Sequence, residues 1–505
     1  MASILALDQG TTGSTALVIH EDGRVVGRGY REFTQYFPQP GWVEHDPEEI
    51  FRVSIAAMVE ALAASKERPA ALGITNQRET VVLWDRKTLA PVAPAIVWQD
   101  RRTTERCREL QDAGLEPMLR AHTGLVADPY FSATKLEWLL RDAGLRRRAM
   151  KGELAAGTVD SWLIAKLSGG RTHVTDHTNA SRTLLYDLET RDWHPELLAL
   201  FGVPREMLPS IVASSSVVAE ADSTHLGISL PIAGIAGDQQ AALFGQGCVA
   251  PGLAKNTYGT GAFLLVLAGD RAPTPPEGLL ATAACGPHGD PWYALEGSVF
   301  IAGAAIQWLR DGLQILTQAA ESESLARSIP DTGGVHFVPA FVGLGTPYWE
   351  PEARGTITGL TRGTSRAHLV RAALEAMAFG SAELLSAMCS GEAMTVPVLR
   401  VDGGAAANDW LMQFQADVLG VPVERPDLVE TTALGAAALA GLAAGVWTSA
   451  DEFLSRRRFT RFEPRHDVGW RRAQLSAWRR AVSAALQWAR SSEAAGKPGS
   501  GSAAP

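Results

Sequence analysis

Four short polar segments interrupt the apolar runs of this sequence, and their residue types suit phosphate, hydroxyl and proton chemistry. The first follows the apolar residues 4–7 and reads Asp-Gln-Gly-Thr-Thr-Gly-Ser from Asp8 to Ser14. Its small residues let a phosphate approach the backbone, whose N–H groups and threonine hydroxyls can donate to phosphate oxygens. Asp8 ends the predicted strand, where its carboxylate could hold Mg²⁺ through water. A plain β-hairpin turn accounts for the segment equally well.

Two further segments carry side chains suited to hydroxyl groups. Asp238 follows the apolar run 232–236 and precedes Gln239, so its carboxylate stands at a predicted strand-to-helix junction. It could accept a proton from an attacking hydroxyl, and a helix N-cap is the alternative. Arg78 and Glu79 lie between two apolar strands and could grip vicinal hydroxyls, the arginine donating and the glutamate accepting. A solvated hairpin with a weak surface ion pair is the alternative here.

The fourth segment follows the predicted strand 399–402 and contains Gly403, Gly404 and Asn408. Two glycines after a strand allow the backbone to approach a flat ligand such as adenine, and a tight strand–helix turn is the alternative. The sequence contains no GxxxxGK[ST] motif and no GxGxxG between a strand and a helix. A P-loop and a dinucleotide-binding Rossmann unit are therefore not supported.

Bulk composition indicates an acidic globular protein. The 505 residues are too many for one compact core, which predicts two domains. With 46% hydrophobic residues and a net charge of -9, the chain is neither largely disordered nor typical of a nucleic-acid binder. No apolar stretch reaches the ~18 residues of a membrane helix, and the N-terminus lacks a signal-peptide pattern, so we expect a cytoplasmic protein without a membrane span.

The cysteines and histidines of the sequence do not show the spacing that is typical of disulfides or of a metal centre. The four cysteines are scattered without CxxC spacing, which predicts free thiols in a reducing compartment. His173 and His177 are four residues apart, but no further ligand set accompanies them, so no metal site is predicted there.

The elements that must position the four segments alternate along the chain. Three apolar runs separated by turn signals predict an opening meander of strands, and Asp46 is the expected N-cap of the helix that follows. Strands at 71–75 and 81–84 flank the Arg-Glu pair. Alternation of strands and helices predicts an α/β sheet. A second Gly/Thr loop at 254–261 precedes another apolar run, and this echo of the opening suggests two similar domains.

In their combination and order, these segments resemble the FGGY family of carbohydrate kinases. The resemblance is carried by residues 8–14, 76–80, 130–139, 237–240, 355–375 and 401–408, and it extends from about residue 3 to about 450. It implies two actin-like (ribonuclease H-like) ATPase domains of the α/β class with an interdomain catalytic cleft. The N-terminal domain, 1–247, would bind a polyol. The C-terminal domain, 248–490, would bind the nucleotide and include the closing helices, and 491–505 would be a flexible tail.

The resemblance also implies an activity, which is ATP-dependent phosphorylation of glycerol to sn-glycerol 3-phosphate with Mg²⁺. Within the family, residues 74–80, 97–103, 158–162, 174–183 and 237–246 are most similar to the members that act on glycerol. Two alternatives stay open: another FGGY kinase acting on a tetritol or a ketose, and an actin-like ATP-binding switch module. Glycerol and ATP are the expected partners, nucleic acid is not, and a homodimer or homotetramer is expected because family members often form one.

Site residues follow from the resemblance position by position. Asp238 resembles the catalytic base. The hydroxyl-binding set comprises Arg78, Glu79, Tyr130, Asp238 and Gln239, and apolar walls against the glycerol carbons comprise Trp98 and Phe263. The nucleotide-binding set comprises Thr11, Thr12, Gly13, Thr260, Gly303, Gln307, Gly404 and Asn408.

Two stretches depart from the family pattern. Gly13 and Thr15 stand where the first loop usually carries serine and arginine, which removes a hydroxyl and a cation near the phosphates. Ser229 stands where enteric members carry an arginine that binds fructose 1,6-bisphosphate. Inhibition by fructose 1,6-bisphosphate is therefore not expected. Some Gram-positive members carry a phosphorylated histidine nearby, and His225 lies close to that position but in a different local context.

Overall fold

The computed structural model describes residues 2–390 and 394–495, which form two α/β halves. The strands of the first half are β1 (Ser3–Gln9), β2 (Gly13–His20), β3 (Val25–Glu32), β4 (Glu44–His45), β5 (Ala71–Asn76), β6 (Val82–Asp85), β7 (Ala95–Ile96), β8 (Leu154–Gly157), β9 (Val174–Asp176), β10 (Tyr186–Asp187), β11 (Asp192–Trp193), β12 (Ser210–Val212), β13 (Ser215–Ala221) and β14 (Leu230–Gly237). Its helices are α1 (Pro47–Ser65), α2 (Thr104–Asp112), α3 (Glu116–Thr123), α4 (Ser132–Leu139), α5 (Ala143–Met150), α6 (Val159–Leu167), α7 (His177–Ala180), α8 (Pro195–Phe201), α9 (Ser223–Leu226) and α10 (Asp238–Gly245), with a 3₁₀ turn at Arg205–Met207.

The second half begins with the strand after α10. Its strands are β15 (Ala254–Tyr258), β16 (Ala262–Gly269), β17 (Leu280–Cys285), β18 (Pro291–Val299), β19 (His336–Val338), β20 (Thr356–Thr358), β21 (Leu399–Gly403), β22 (Val423–Pro426) and β23 (Phe459–Phe462). Its helices are α11 (Gly303–Asp311), α12 (Glu321–Arg327), α13 (Arg366–Met388), α14 (Asp409–Leu419), α15 (Thr431–Ala443), α16 (Ala450–Leu454) and α17 (Val468–Ala495), with a 3₁₀ turn at Gly404–Ala407.

Both large sheets are built on the same plan. In the first, the order is β13-β14-β5-β1-β2-β3, with β1, β5 and β14 parallel, β2 antiparallel to β1, and β3 antiparallel to β2. In the second, β18-β16-β15-β21-β22 repeat this arrangement, with β15, β21 and β22 parallel. The predicted α/β class and the two-domain fold are thus confirmed, and the echo between the two Gly/Thr loops reflects the same β-turn-β unit in each half.

Helix α15 ties the two halves together. It belongs to the second half in sequence but packs on β5, β14 and β1 of the first sheet. Close approach to α10 requires glycine, because a Cβ at Gly435 would lie 1.8 Å from the carbonyl oxygen of Ala241. The predicted domain boundary at 247/248 therefore stays a prediction, because α15 follows this boundary in sequence but packs on the first sheet.

Several local predictions can be compared with the described residues. Asp46 caps α1 by accepting the N–H of Glu48, as expected. The predicted tail at 491–505 overlaps the end of α17 up to Ala495, and 496–505 lie outside the described residues. None of the helices within 2–390 and 394–495 combines the length and apolar composition needed to span a bilayer.

Candidate active site

Three parallel strands of the first sheet deliver the polar residues of the site. Asp8 lies near the end of β1, Arg78 and Glu79 follow β5, and Asp238 follows β14 as the first residue of α10. These strands are neighbours in the order β14-β5-β1. Because the carboxyl ends of parallel strands meet at one edge of a sheet, segments that are up to 230 positions apart in sequence converge there.

The Arg78 side chain is the centre of this convergence. It is buried and forms a two-pronged ion pair with Glu296 of β18, with Nη1–Oε2 and Nη2–Oε1 distances of 2.6 and 3.0 Å. Its Nε lies 3.3 Å from Oδ1 of Asp238, and its Nη2 donates to the Tyr130 hydroxyl at 3.3 Å. The side chain expected to bind hydroxyls is therefore held in place by a strand of the second sheet.

A second buried arginine completes a network of four charges. Arg182 donates from Nε to Glu79 at 2.6 Å and from Nη2 to Glu296 at 3.0 Å. The backbone of Glu79 has a φ of +62°, in the left-handed region that a residue with a side chain rarely adopts. We infer that this conformation is retained because it directs the buried Glu79 carboxylate towards Arg182.

Burial and charge act in opposite directions on the acids of this network. Burial favours the neutral form of Glu296, but Arg182 and Arg78 lower its pKa to about 2. For Glu79, burial outweighs the two arginines and raises its pKa. The pKa of Asp238 is likewise raised by burial, and Arg78 opposes the rise. Glu296 is therefore a fixed anion, whereas Asp238 is a carboxylate with a higher than usual proton affinity.

Asp238 retains access to the cleft. Its side chain is about a third exposed, at 30%, whereas Arg78 is 2% exposed. Its Oδ1 accepts the N–H of Gln239 at 2.7 Å and faces Arg78. A partly exposed carboxylate that is oriented through one oxygen can take up a proton at the other.

Aromatic side chains border the polar cluster. The Trp98 and Tyr130 rings meet edge to face, with centroids 5.5 Å apart. The indole N–H of Trp98 donates to the Thr11 hydroxyl at 2.9 Å, which links this wall to the first Gly/Thr loop. Phe263 lies in β16 opposite Thr257 and is half-buried. The structure thus brings Trp98 and Tyr130 together, while Phe263 stands on the second sheet without a ring contact to them among the described residues.

Asp8 has the environment expected of an acid that faces a cation. Across 2–390 and 394–495, its carboxylate forms no hydrogen bond or ion pair with protein groups. Burial and the neighbouring Asp238 raise its pKa to about 7. Two carboxylates beside a phosphate-type loop are oxygen ligands of the kind that Mg²⁺ prefers, so the residues present fit this ion.

The second sheet supplies the residues of the predicted nucleotide set. The Thr260 carbonyl accepts the N–H of Ala302 at 2.8 Å, and the Gly303 N–H, at the start of α11, donates to Gly259 at 3.0 Å. Gly303 must be small, because a Cβ there would lie 2.6 Å from the Gly259 oxygen. Thr260 itself is exposed. The loop and the start of α11 therefore form one unit.

The remaining residues of the predicted nucleotide-binding set in the second half are Gly404, Asn408 and Gln307. A Cβ at Gly404 would meet nothing within 4 Å, so its backbone faces open space. Gly403 has a φ of +84° and packs against Tyr258. Asn408 caps α14 through the N–H of Leu411, which makes its structural role certain and leaves its predicted contact with a nucleotide as a prediction. Gln307 is exposed on α11.

Sequence reasoning missed three charged residues of the cleft. Glu296 and Arg182 hold Arg78 and Glu79, as described above. Lys255 of β15 is buried, contacts Oε1 of Gln239 and donates to Thr257 at 2.9 Å. Burial lowers the pKa of Lys255 to about 8. The available signal was a single charged residue inside the largely apolar strand β18, which indicates a buried partner without naming it.

Histidine clusters lie away from this site. His173 and His177 have separate partners, since His173 Nε2 lies 3.0 Å from the Ala156 carbonyl oxygen and His177 Nδ1 lies 2.8 Å from the Tyr186 hydroxyl. Among the described residues, one group of three could hold a metal ion, and it consists of His122, Asp187 and His194. Asp187 already accepts His122 Nδ1 at 2.7 Å and two backbone N–H groups, so hydrogen bonds account for this group.

Comparisons with known proteins find similar sequences over nearly the whole chain. Residues 3–245 match the N-terminal domain, and residues 254–444 the C-terminal domain, of the FGGY family of carbohydrate kinases. Glycerol kinase of Carboxydothermus hydrogenoformans is 55% identical over 491 residues, covering 96% of this chain and 98% of the relative. Glycerol kinase 2 of Thermotoga maritima is 53% identical, covering 97% and 99%.

Solved structures show the same fold. A crystal structure of Plasmodium falciparum glycerol kinase with ADP has a TM-score of 0.92 at 36% identity, covering 96% of this chain and 98% of that chain. Xylulose kinase from Rhodospirillum rubrum is more distant, with a TM-score of 0.84 at 25% identity and coverage of 96% and 98%.

The charge network predicts a large effect of Glu296→Gln. An amide nitrogen would face a buried guanidinium, and two buried arginines would share one carboxylate. We expect the free energy of unfolding in urea to fall by about 3–5 kcal/mol. The control is Glu323→Gln, which removes the charge from the surface pair with Arg327 and should cost about 1 kcal/mol or less. Equal, small losses for the two variants would contradict the importance of the network.

Proposed function

The chain belongs to the FGGY family of carbohydrate kinases, and we propose that it transfers the terminal phosphoryl group of ATP to glycerol. The products are sn-glycerol 3-phosphate and ADP. This is the activity for which the relatives at 53% and 55% identity are named, and their whole length is matched. The protein is in this view an ATP:glycerol 3-phosphotransferase.

The observation that carries the proposal is the set of hydroxyl-binding groups around Arg78. Arg78 Nε faces Asp238 and Glu79, at 3.3 and 3.7 Å, and the Tyr130 hydroxyl lies on its other side. A guanidinium donates only, and ionised carboxylates accept only, so a small polyol with adjacent hydroxyls satisfies both. The edge-to-face pair of Trp98 and Tyr130 supplies an apolar wall for its carbons.

Asp238 acts as the base in this scheme. The attacking hydroxyl gives its proton to the Asp238 carboxylate as its oxygen bonds to the γ-phosphorus of ATP, and the bond from that phosphorus to the bridging oxygen of ADP breaks. Burial raises the pKa of Asp238, which makes the carboxylate a better acceptor at neutral pH. Arg78 keeps the side chain oriented, so little rearrangement is needed before transfer.

The phosphates lie between the two Gly/Thr loops. Thr11 and Thr12 follow β1 of the first sheet, and Thr260 follows β15 of the second, so hydroxyl and N–H donors approach from both sides. Mg²⁺, when bound at Asp8, neutralises charge on the phosphate oxygens. Lys255 adds a cation close to Gln239 on the second-sheet side. Closure of the cleft excludes water, which would otherwise compete as the nucleophile.

Assembly is proposed on the family resemblance, and location on the cysteines. We propose a homo-oligomer, a dimer or tetramer, that works in the cytoplasm. The family resemblance supports the oligomer, and the free, buried cysteines Cys107, Cys248 and Cys285 suit a reducing compartment.

An acceptor assay tests the activity. ADP release is measured with glycerol, erythritol, dihydroxyacetone or xylulose as the added acceptor, and without any acceptor. We expect the largest kcat/KM with glycerol. Stimulation by xylulose and not by glycerol would favour the alternative of another FGGY kinase, whereas ATP hydrolysis indifferent to every acceptor would favour the switch module.

Asp238→Asn should affect turnover far more than binding. Without a proton acceptor, kcat should fall by roughly 10²–10⁴-fold, while the KM for glycerol changes only a few-fold. Asp451→Asn, an exposed acid in the first turn of α16, is the control and should keep full activity. Activity of Asp238→Asn within a few-fold of the unchanged protein would mean that another group takes the proton.

Asp8→Asn should weaken the response to Mg²⁺. If Asp8 holds the ion through water, loss of its charge raises the Mg²⁺ concentration for half-maximal activity by roughly 10–100-fold. The KM for glycerol, measured at saturating Mg²⁺, should stay unchanged because Asp8 does not contact Arg78. An unaltered Mg²⁺ titration would rule Asp8 out as the metal-holding residue.

A further inference from the structure

The first Gly/Thr loop has no side chain at Gly13, and Tyr30 lies in the space that such a side chain would enter. A Cβ at Gly13 would lie 2.8 Å from the Tyr30 hydroxyl, 2.9 Å from the Tyr30 Cε2 and 2.8 Å from the Arg31 carbonyl oxygen. Non-bonded carbons do not approach so closely, so a residue with a side chain at position 13 would displace the Tyr30 ring. The hydroxyl of Tyr30 therefore stands beside Thr12, where a side chain of the loop itself would otherwise project.

The strand register places Tyr30 on the same face of the sheet as Asp8. Tyr30 of β3 is directly opposite Thr15 of β2, and Thr15 is directly opposite Asp8 of β1. Residues that oppose each other in antiparallel strands point to the same face. The three side chains thus form a row that spans two strand spacings, roughly 10 Å.

This face is the one turned towards the second half of the molecule. Gly29, the neighbour of Tyr30, points the opposite way, since a Cβ there would lie 2.1 Å from the Ala57 carbonyl oxygen of α1. Arg28, two residues before Tyr30 and on its face, pairs at 2.9 Å with Glu430 at the start of α15. Tyr30 therefore faces the second half, which carries the other Gly/Thr loop.

The Tyr30 hydroxyl is available to a ligand. It donates to Glu32 in a long hydrogen bond of 3.3 Å, and the side chain is 43% exposed. Burial and the Glu32 carboxylate raise the pKa of the phenol, so it remains protonated and able to donate at neutral pH. A phosphate oxygen is likewise a charged acceptor, and the same hydroxyl can form a shorter hydrogen bond with it than the present one with Glu32.

We propose that Tyr30 is a nucleotide-binding residue, whose hydroxyl donates to a phosphate oxygen of ATP and replaces a donor that Gly13 cannot supply. The inference rests on the proposed function, in which the first Gly/Thr loop receives the phosphates. It adds β3 to the elements of the phosphate site. It also explains why a glycine at position 13 is compatible with a working loop.

Tyr30→Phe tests the contact by removing one oxygen atom. We expect the KM for ATP, and the dissociation constant of a non-hydrolysable ATP analogue measured by calorimetry, to rise roughly two- to tenfold. The KM for glycerol should stay unchanged. Tyr36→Phe is the matched control, because Tyr36 has nearly the same exposure, 44%, and should leave both constants unaltered.

A second variant pair guards against an indirect effect. Gly13→Ser should weaken ATP binding when Tyr30 is present, because the added side chain meets the tyrosine ring. In the Tyr30→Gly background the ring is gone and only the Arg31 carbonyl oxygen stays close to the added side chain, so the same serine should cost less ATP affinity than it does beside Tyr30, and the two changes are not additive. Additive effects, or unchanged ATP affinity in Tyr30→Phe, would overturn the proposal. Calorimetry needs no acceptor, so it tests Tyr30 even if glycerol proves not to be the substrate.

Discussion

The buried ion pair between Arg78 and Glu296 is the interaction on which the site depends. Glu296 lies on β18 of the second sheet, and Arg78 follows β5 of the first. Neither charge is stable in the interior without its partner, because desolvation of a lone ion costs several kcal/mol. Arg78 therefore has its two-pronged carboxylate partner only when the two halves of the chain have come together.

Only some elements of the second half are held against the first half by buried contacts. The hairpin of β17 and β18 is attached to the first half by polar contacts as well as by charge, since Thr282 meets Ser181 at 2.9 Å and accepts from Gln240 at 3.1 Å. The loops at Thr260 and Gly404 belong to other parts of the same sheet and are exposed to the cleft. One part of the second half is thus fixed to the first half by buried contacts, whereas the loops at Thr260 and Gly404, which the proposed function assigns to the nucleotide, are exposed.

A strand next to the first Gly/Thr loop places a polar atom beside it. Tyr30 lies on β3, outside that loop, yet its hydroxyl lies beside the space that a side chain at Gly13 would occupy. A loop built from glycine and threonine gains access to phosphate at the expense of side-chain donors. Adjacent strands can supply such donors, because side chains opposite each other in a sheet lie about 5 Å apart.

The sequence by itself determined the local elements and the chemistry available to them. Strand ends, the cap at Asp46 and the strand-to-helix junction at Asp238 are encoded within a few residues, because hydrogen bonding and periodicity act over that range. The repeated β-turn-β unit was visible for the same reason. Only the tertiary structure decided that Glu296 meets Arg78 and that Tyr30 covers Gly13. Those pairings depend on strand register and on the packing of two halves, which no local pattern specifies.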